Sequence, residues 1–173
     1  MENKFFNNIK GNFGFGMMRL PMKDDDVDYK QVSDMVDRFM ECGFNYFDTA
    51  HPYLKGKSEN AVKECLAKRY PRDSYVLVNK LSTWYFEKHD EIRPLIEKQL
   101  DACGVEYFDI LLMHAQNKAY FAKYQKEQAY ELAFELKKEG KVKHVGISFH
   151  DDAETLDHIL TTYPEIEMVQ IQL

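Results

Sequence analysis

The sequence contains no long hydrophobic run and no excess of positive charge. None of its apolar stretches approaches the roughly 20 residues of a membrane-spanning helix, and its first residues lack the apolar core of a signal peptide. Its 23 Lys and Arg against 29 Asp and Glu give a net charge of −6, whereas nucleic acids and anionic membranes are bound by basic surfaces. We therefore expect a cytoplasmic protein with no nucleic-acid or membrane partner.

Cysteine and histidine are too few and too scattered for a disulfide framework or a metal site. The three cysteines, Cys42, Cys65 and Cys103, lie far apart in the chain. Their spacing predicts reduced thiols packed in or near helices. The six histidines form neither H-x-H nor H-E-x-x-H. We therefore expect no metal ion.

The pattern along the 173 residues predicts a single α/β domain over residues 1–173. Short apolar runs alternate with longer amphipathic stretches. The predicted strands are residues 13–20, 44–47, 74–80, 107–113, 142–148 and 168–173. The predicted helices are residues 27–42, 58–70, 90–103, 121–138 and 153–161. A spacing of about 30 residues between strands indicates right-handed crossovers and a parallel sheet, either doubly wound or a barrel.

Four polar residues lie at or just beyond the ends of predicted strands. Asp48, Lys80 and His114 each follow a short apolar run, and Tyr53 comes five residues after Asp48. Taken singly, each has an ordinary explanation: a turn former, a solvated lysine, a core histidine and a packed tyrosine. Because the carboxyl ends of parallel strands converge on one rim, the four together predict an acid–base site.

These residue types suit the reduction of a carbonyl group. Hydride addition to the carbon requires a proton at the oxygen, and a tyrosine is a poor acid, with a reference pKa of about 10. A lysine ammonium beside a tyrosine favours the phenolate, and a carboxylate keeps that lysine charged and oriented. A histidine can hydrogen-bond the carbonyl and orient it.

Seven segments carry a family resemblance, in family order, across nearly the whole chain. They are residues 14–21 (GFGMMRLP), 47–53 (FDTAHPY), 56–59 (GKSE), 79–81 (NKL), 109–114 (DILLMH), 140–148 (GKVKHVGIS) and 169–172 (VQIQ). On these segments the chain resembles the aldo-keto reductases, which are parallel (β/α)8-type barrels that use a nicotinamide cofactor. The resemblance implies such a barrel, with about six strands and five helices present in this chain.

The resemblance also implies roles for eight residues. The implied catalytic tetrad is Asp48, Tyr53, Lys80 and His114, with Tyr53 as the proton donor. The implied cofactor contacts are Gly16, Met17, Ser148 and Gln170. The implied cofactor is NADPH, with NADH as the alternative, and the implied substrate is a small aldehyde or ketone.

The chain departs from the family pattern in three places. Many members have Ser-Asn after the fifth strand, where this chain has Ser148, Phe149 and His150. Residues 146–151 (GISFHD) resemble a bacterial branch whose longer members carry an iron–sulfur segment, but this chain has no such cysteine cluster. The chain also stops after the sixth predicted strand, whereas a barrel of this kind has about 250 residues. We therefore expect a chain truncated after that strand, poor or inactive by itself as a reductase and prone to self-association through open sheet edges.

Two other functions remain as alternatives. One is a non-catalytic or regulatory binding module that retains the fold; an intact tetrad argues against it. The other is a phosphate-binding barrel lyase or isomerase, which would require a glycine-rich loop after a late strand.

Overall fold

A computed structural model describes residues 6–172 of the chain. The strands are β1 (Gly14–Gly16), β2 (Met22–Lys23), β3 (Asp26–Val27), β4 (Tyr46–Asp48), β5 (Val76–Leu81), β6 (Phe108–Gln116), β7 (Val142–Phe149) and β8 (Met168–Ile171). The α-helices are α1 (Tyr29–Glu41), α2 (Lys57–Val62), α3 (His89–Cys103), α4 (Lys118–Lys126), α5 (Ala129–Lys138) and α6 (Ala153–Thr162). The ends of the predicted domain, residues 1–5 and 173, lie outside the described residues.

Six of these strands form one parallel sheet in the order β1, β4, β5, β6, β7, β8. Spatial order follows chain order, as in a (β/α)8 barrel, whereas a doubly wound sheet reverses its order at a switch point. Gln170 on β8 donates a hydrogen bond to Asp48 on β4, although three strands lie between them in the sheet. The sheet therefore curls, and the fold is an incomplete (β/α)8-type barrel.

The two faces of the sheet pack against different partners. Alternate residues of the strands, such as Leu77 and Leu111, belong to the large core beneath the helices. The residues between them form a second, smaller cluster on the inner face: Val76, Val78, Ile110 and Leu112. Because strand side chains alternate, Lys80 and His114 continue these inner rows at the carboxyl ends of β5 and β6.

The structure differs from the predicted elements in three places. The predicted strand at 13–20 is only the three-residue β1, and a small antiparallel hairpin of β2 and β3 follows it. The predicted helix at 58–70 is the short α2, continued by a π-helix over Lys63–Ala67. The predicted helix at 121–138 is divided into α4 and α5, so the described part has six α-helices rather than five.

The division between α4 and α5 falls at Gln128, which adopts a left-handed φ of 52°. Neither glycine nor proline marks this break, so the periodicity of the sequence runs through it undetected. Over residues 6–172, none of the helices combines the length and the apolar character needed to cross a bilayer.

Candidate active site

Lys80 lies at the centre of a charged cluster on the inner face of the sheet. Its Nζ atom is 2.6 Å from Asp48 Oδ1 and donates a 3.0 Å hydrogen bond to the carbonyl oxygen of Thr49. The Lys80 side chain is only 2% exposed. Such burial is tolerable because a carboxylate and a carbonyl dipole replace the lost water. Asp48 thus holds Lys80 in place at the rim.

Tyr53 also lies beside this ammonium group. The Nζ atom of Lys80 lies 4.8 Å from the centre of the Tyr53 ring, and that ring meets His114 edge-on with a centroid separation of 6.0 Å. Tyr53 opens a 3-10 turn in which Leu54 and Lys55 have left-handed φ values of 51° and 57°. Such backbone strain requires support from the surroundings and is typical of functional sites. The contacts of Lys80 with Asp48 and Tyr53, and of Tyr53 with His114, bring the four residues of the predicted tetrad together.

His114 is held by a hydrogen bond at its Nδ1 atom, which lies 2.7 Å from the hydroxyl oxygen of Ser82. Burial lowers the pKa of His114 from its usual 6.5 to about 3, with smaller contributions from the nearby charges of Lys80 and His150. The imidazole is therefore neutral at physiological pH. Ser82 is itself almost fully buried, and no local sequence signal identified it as part of the site.

Ser148 and Gln170, two of the predicted cofactor contacts, lie at the same cavity as the tetrad. The hydroxyl of Ser148 accepts a 2.8 Å hydrogen bond from the backbone N–H of Ala115, at a bulge where β6 and β7 shift register. Gln170 Nε2 donates to Asp48 Oδ2 over 3.3 Å. The cavity has a volume of about 410 Å³. Its lining residues are Met18, Arg19, Tyr53, Lys80, His114, Ser148, His150, Gln170, Ile171 and Gln172.

The other two predicted cofactor contacts, Met17 and Gly16, are not in this cavity. Met17 is fully buried in the core, and its backbone N–H and C=O are bonded to Asp48 and Ser58. The neighbouring Met18 faces the cavity instead. Gly16 borders an adjoining cavity of about 400 Å³, which is also lined by Asp48 and Gln170. Met17 thus lies in the core beneath the helices, whereas Met18 lies on the side of the cavity.

A buried polar network supports the tetrad from behind. The fully buried carboxylate of Glu59 lies 2.6 Å from His51 Nδ1 and accepts hydrogen bonds from the side-chain amides of Asn79 and Gln99. Gln99 also donates to the backbone carbonyl of Lys80 over 3.0 Å. The network thus ties the segment that leads to Tyr53 to the strand that carries Lys80. Sequence reasoning included Glu59 in a motif but assigned it no role.

Among residues 6–172, no group of three or more His, Cys, Asp or Glu side chains is placed to hold a metal ion.

The four residues of the predicted tetrad combine a held ammonium, a phenol and a neutral imidazole at the wall of a cavity. They can deliver a proton to, and hydrogen-bond, an oxygen atom of a small molecule.

Comparison with known sequences gives a match to the model of the Aldo/keto reductase family over residues 12–173. The NADH-specific methylglyoxal reductase of Escherichia coli (strain K12) is 29% identical over 167 residues, which cover 87% of this chain and 50% of that protein. The NAD(P)H-dependent D-xylose reductase of Hypocrea jecorina is 30% identical over 112 residues, covering 61% of this chain and 33% of the reductase. The chain thus spans half or less of the length of these curated relatives.

Solved structures show the same fold. An aldo-keto reductase from Bacillus halodurans, in its holo form, superposes with a TM-score of 0.75 at 25% identity, covering 93% of this chain and 53% of the other. An aldo-keto reductase from Klebsiella pneumoniae, in complex with NADPH, superposes with a TM-score of 0.68 at 22% identity, with 92% and 52% covered.

Proposed function

The chain belongs to the aldo/keto reductase family, and from that premise we propose that it reduces an aldehyde or ketone, with Tyr53 as the proton donor. The observation that carries the proposal is the contact of Lys80 with both Asp48 and Tyr53 beside His114, at the wall of one cavity. A module that only binds a ligand has no chemical need of all four groups. The substrate is proposed to be a small carbonyl compound.

Lys80 and Asp48 act on the proton of Tyr53. When the phenol gives its proton to the carbonyl oxygen, negative charge develops on the tyrosine, and the ammonium of Lys80 next to the ring stabilises that charge. The 2.6 Å contact with Asp48 holds the ammonium in position. Because this charge develops only as the proton leaves, the stabilisation is greater in the transition state than in the ground state.

His114 has a separate role as a neutral hydrogen-bonding group. Its pKa of about 3 excludes an imidazolium at neutral pH, so it is not proposed as the acid. A neutral imidazole can donate one N–H to the carbonyl oxygen and fix its orientation relative to Tyr53.

The residues of the cavity fit a nicotinamide, which supplies the hydride when it is bound. Its carboxamide group requires one donor and one acceptor. Ser148 uses its oxygen to accept from Ala115, which leaves its own proton to donate. Gln170 uses its amide N–H toward Asp48, which leaves its carbonyl oxygen to accept. We propose NADPH as the cofactor with NADH as the alternative; this preference and the cytoplasmic location stay predictions.

A single substitution tests the role of Tyr53. Relative to the unaltered protein, Tyr53→Phe should lower carbonyl-dependent NADPH oxidation by roughly 100-fold or more, because general acid catalysis contributes on that order. The affinity for NADPH, measured by fluorescence titration, should stay within about twofold, because the lost proton acts only in the transition state.

Tyr85→Phe is the matched control, since Tyr85 is 42% exposed and its hydroxyl is not assigned to the site. It should retain activity. Unchanged turnover by Tyr53→Phe would contradict the proposal, and cofactor binding without turnover by the unaltered protein would favour the non-catalytic module.

A further inference from the structure

Ser82 is a buried residue whose hydroxyl meets the candidate site at His114. It follows the last residue of β5 and is 1% exposed. Its hydroxyl oxygen lies 2.7 Å from His114 Nδ1. Among residues 6–172, this is the hydrogen bond that the Ser82 hydroxyl makes. With Nδ1 occupied by Ser82, Nε2 is the ring nitrogen left for the cavity that His114 lines.

The direction of this hydrogen bond decides what His114 can offer a ligand. A serine hydroxyl has a single proton, and a buried proton without an acceptor is costly. If Ser82 donates to Nδ1, the serine proton and the Nδ1 lone pair satisfy each other, and the neutral ring carries its proton on Nε2, toward the cavity. If Nδ1–H donated to Ser82, the serine proton would have no acceptor, and Nε2 would present only a lone pair to the cavity.

Only the first arrangement suits a carbonyl substrate, because a carbonyl oxygen accepts hydrogen bonds and is repelled by a lone pair. We propose that Ser82 is a positioning residue that holds His114 as its Nε2–H tautomer, so that the imidazole donates a hydrogen bond to the substrate oxygen. The mechanistic part of this inference rests on the proposed carbonyl reduction. The assignment of the tautomer rests only on the hydrogen bond between Ser82 and His114.

Nitrogen-15 NMR of the histidine rings tests the tautomer directly, with the His114 signals assigned by their loss in His114→Gln. The unaltered protein should show the Nε2–H pattern at neutral pH. In Ser82→Ala the Nδ1–H form should become populated, and in Ser82→Thr, which retains a hydroxyl, the Nε2–H form should persist. Ser58→Ala is the matched control, because Ser58 is equally buried but bonds Thr49 and Met17; its His114 pattern should not change.

Steady-state kinetics provide the second readout. Ser82→Ala should lower kcat for carbonyl reduction by roughly tenfold with little change in the KM for NADPH, as expected for one weakened hydrogen bond in the transition state. Ser82→Thr should restore most of kcat. A purely structural role for Ser82 would instead lower the folded fraction without populating the Nδ1–H form.

The outcomes separate the two proposals. An Nδ1–H ring in the unaltered protein, or an unchanged tautomer in Ser82→Ala, overturns the role of Ser82 whatever the activity. A tautomer that depends on Ser82 in a protein that reduces no carbonyl compound leaves the positioning intact and rejects the proposed function.

Discussion

Lys80 and His114 are both buried at the same rim, but their neighbours differ in charge. Lys80 has the carboxylate of Asp48 and the carbonyl of Thr49 as acceptors. His114 has a neutral serine hydroxyl on one side and the cation of Lys80 nearby, so burial and repulsion both lower its pKa, to about 3. One site thus combines a held charge with a ring that stays neutral.

The low pKa of His114 predicts a pH dependence of stability. Between pH 6.5 and 3 the unfolded chain binds a proton at this residue that the folded protein does not, so the folded state loses stability as the pH falls through that range. Above pH 6.5 the protonation of His114 does not reduce the free energy of unfolding. Below pH 6.5, and down to about pH 3, it lowers the free energy of unfolding by about 1.4 kcal/mol for each pH unit.

Urea unfolding at several pH values measures this effect. In His114→Gln the free energy of unfolding should fall less steeply below pH 6.5 than in the unaltered protein. His158→Gln, at an exposed histidine of α6, is the control and should keep the original slope. Equal slopes in all three proteins would show that His114 is not held neutral by the fold.

Strands β7 and β8 approach each other so closely that a side chain does not fit between them at Gly146. A Cβ atom there would lie 2.7 Å from the backbone oxygen of Met168 and 2.8 Å from Leu112 Cδ2. The backbone oxygen cannot move without shifting β8, which carries Gln170 into the cavity. The packing of these two strands therefore sets the position of one wall of the site.

Gly146→Ala should destabilise the protein by roughly 1–3 kcal/mol, the usual cost of overpacking, as measured by urea unfolding. The matched control is Gly16→Ala in β1, where a Cβ meets no atom within 4 Å; its free energy of unfolding should change little. Equal stability of the two variants would mean that β8 can move away at no cost.

The described sheet has two edges, at β1 and β8. Phe13, beside β1, is 63% exposed and Ile171, in β8, is 52% exposed. Unpaired strand edges with apolar side chains promote pairing between chains. We therefore propose that the 173-residue chain by itself associates with further copies through these edges.

Light scattering over a range of concentrations measures this association. The double variant Phe13→Lys and Ile171→Lys should raise the dissociation constant between copies by roughly tenfold or more, since charge at an edge opposes pairing. Met22→Lys, which alters a 46% exposed methionine in the hairpin, should not. A monomer at every concentration would contradict the proposal.

Much of the fold was predictable because its elements leave local patterns. Apolar runs mark β5, β6 and β7, which are buried on both faces, and the amphipathic stretches between them mark the crossover helices. The hairpin of β2 and β3 was missed because two-residue strands show no alternation. The break between α4 and α5 was missed because Gln128 is not a typical left-handed residue.

The proximity of the four rim residues was predictable for a related reason. A parallel sheet brings its carboxyl ends to one rim, so the positions of Asp48, Lys80 and His114 in the chain were enough to bring them together. The supporting groups, such as Ser82 and Glu59, carry no comparable signal. Their side chains act by hydrogen-bonding residues on other strands and helices. The residues next to them in the sequence do not indicate which partners those are.

The sequence by itself determined the parallel α/β architecture and the residue types at the rim, because periodicity and strand ends are local properties of the chain; its seven matching segments carried the resemblance to the family. Only the tertiary structure decided that Met17 faces the core, that His114 stays neutral, and that Gln170 meets Asp48 from 122 residues away. Each of these depends on what lies opposite a side chain across the curled sheet. That neighbourhood exists only once the strands have assembled, because burial and charge act through space rather than along the chain.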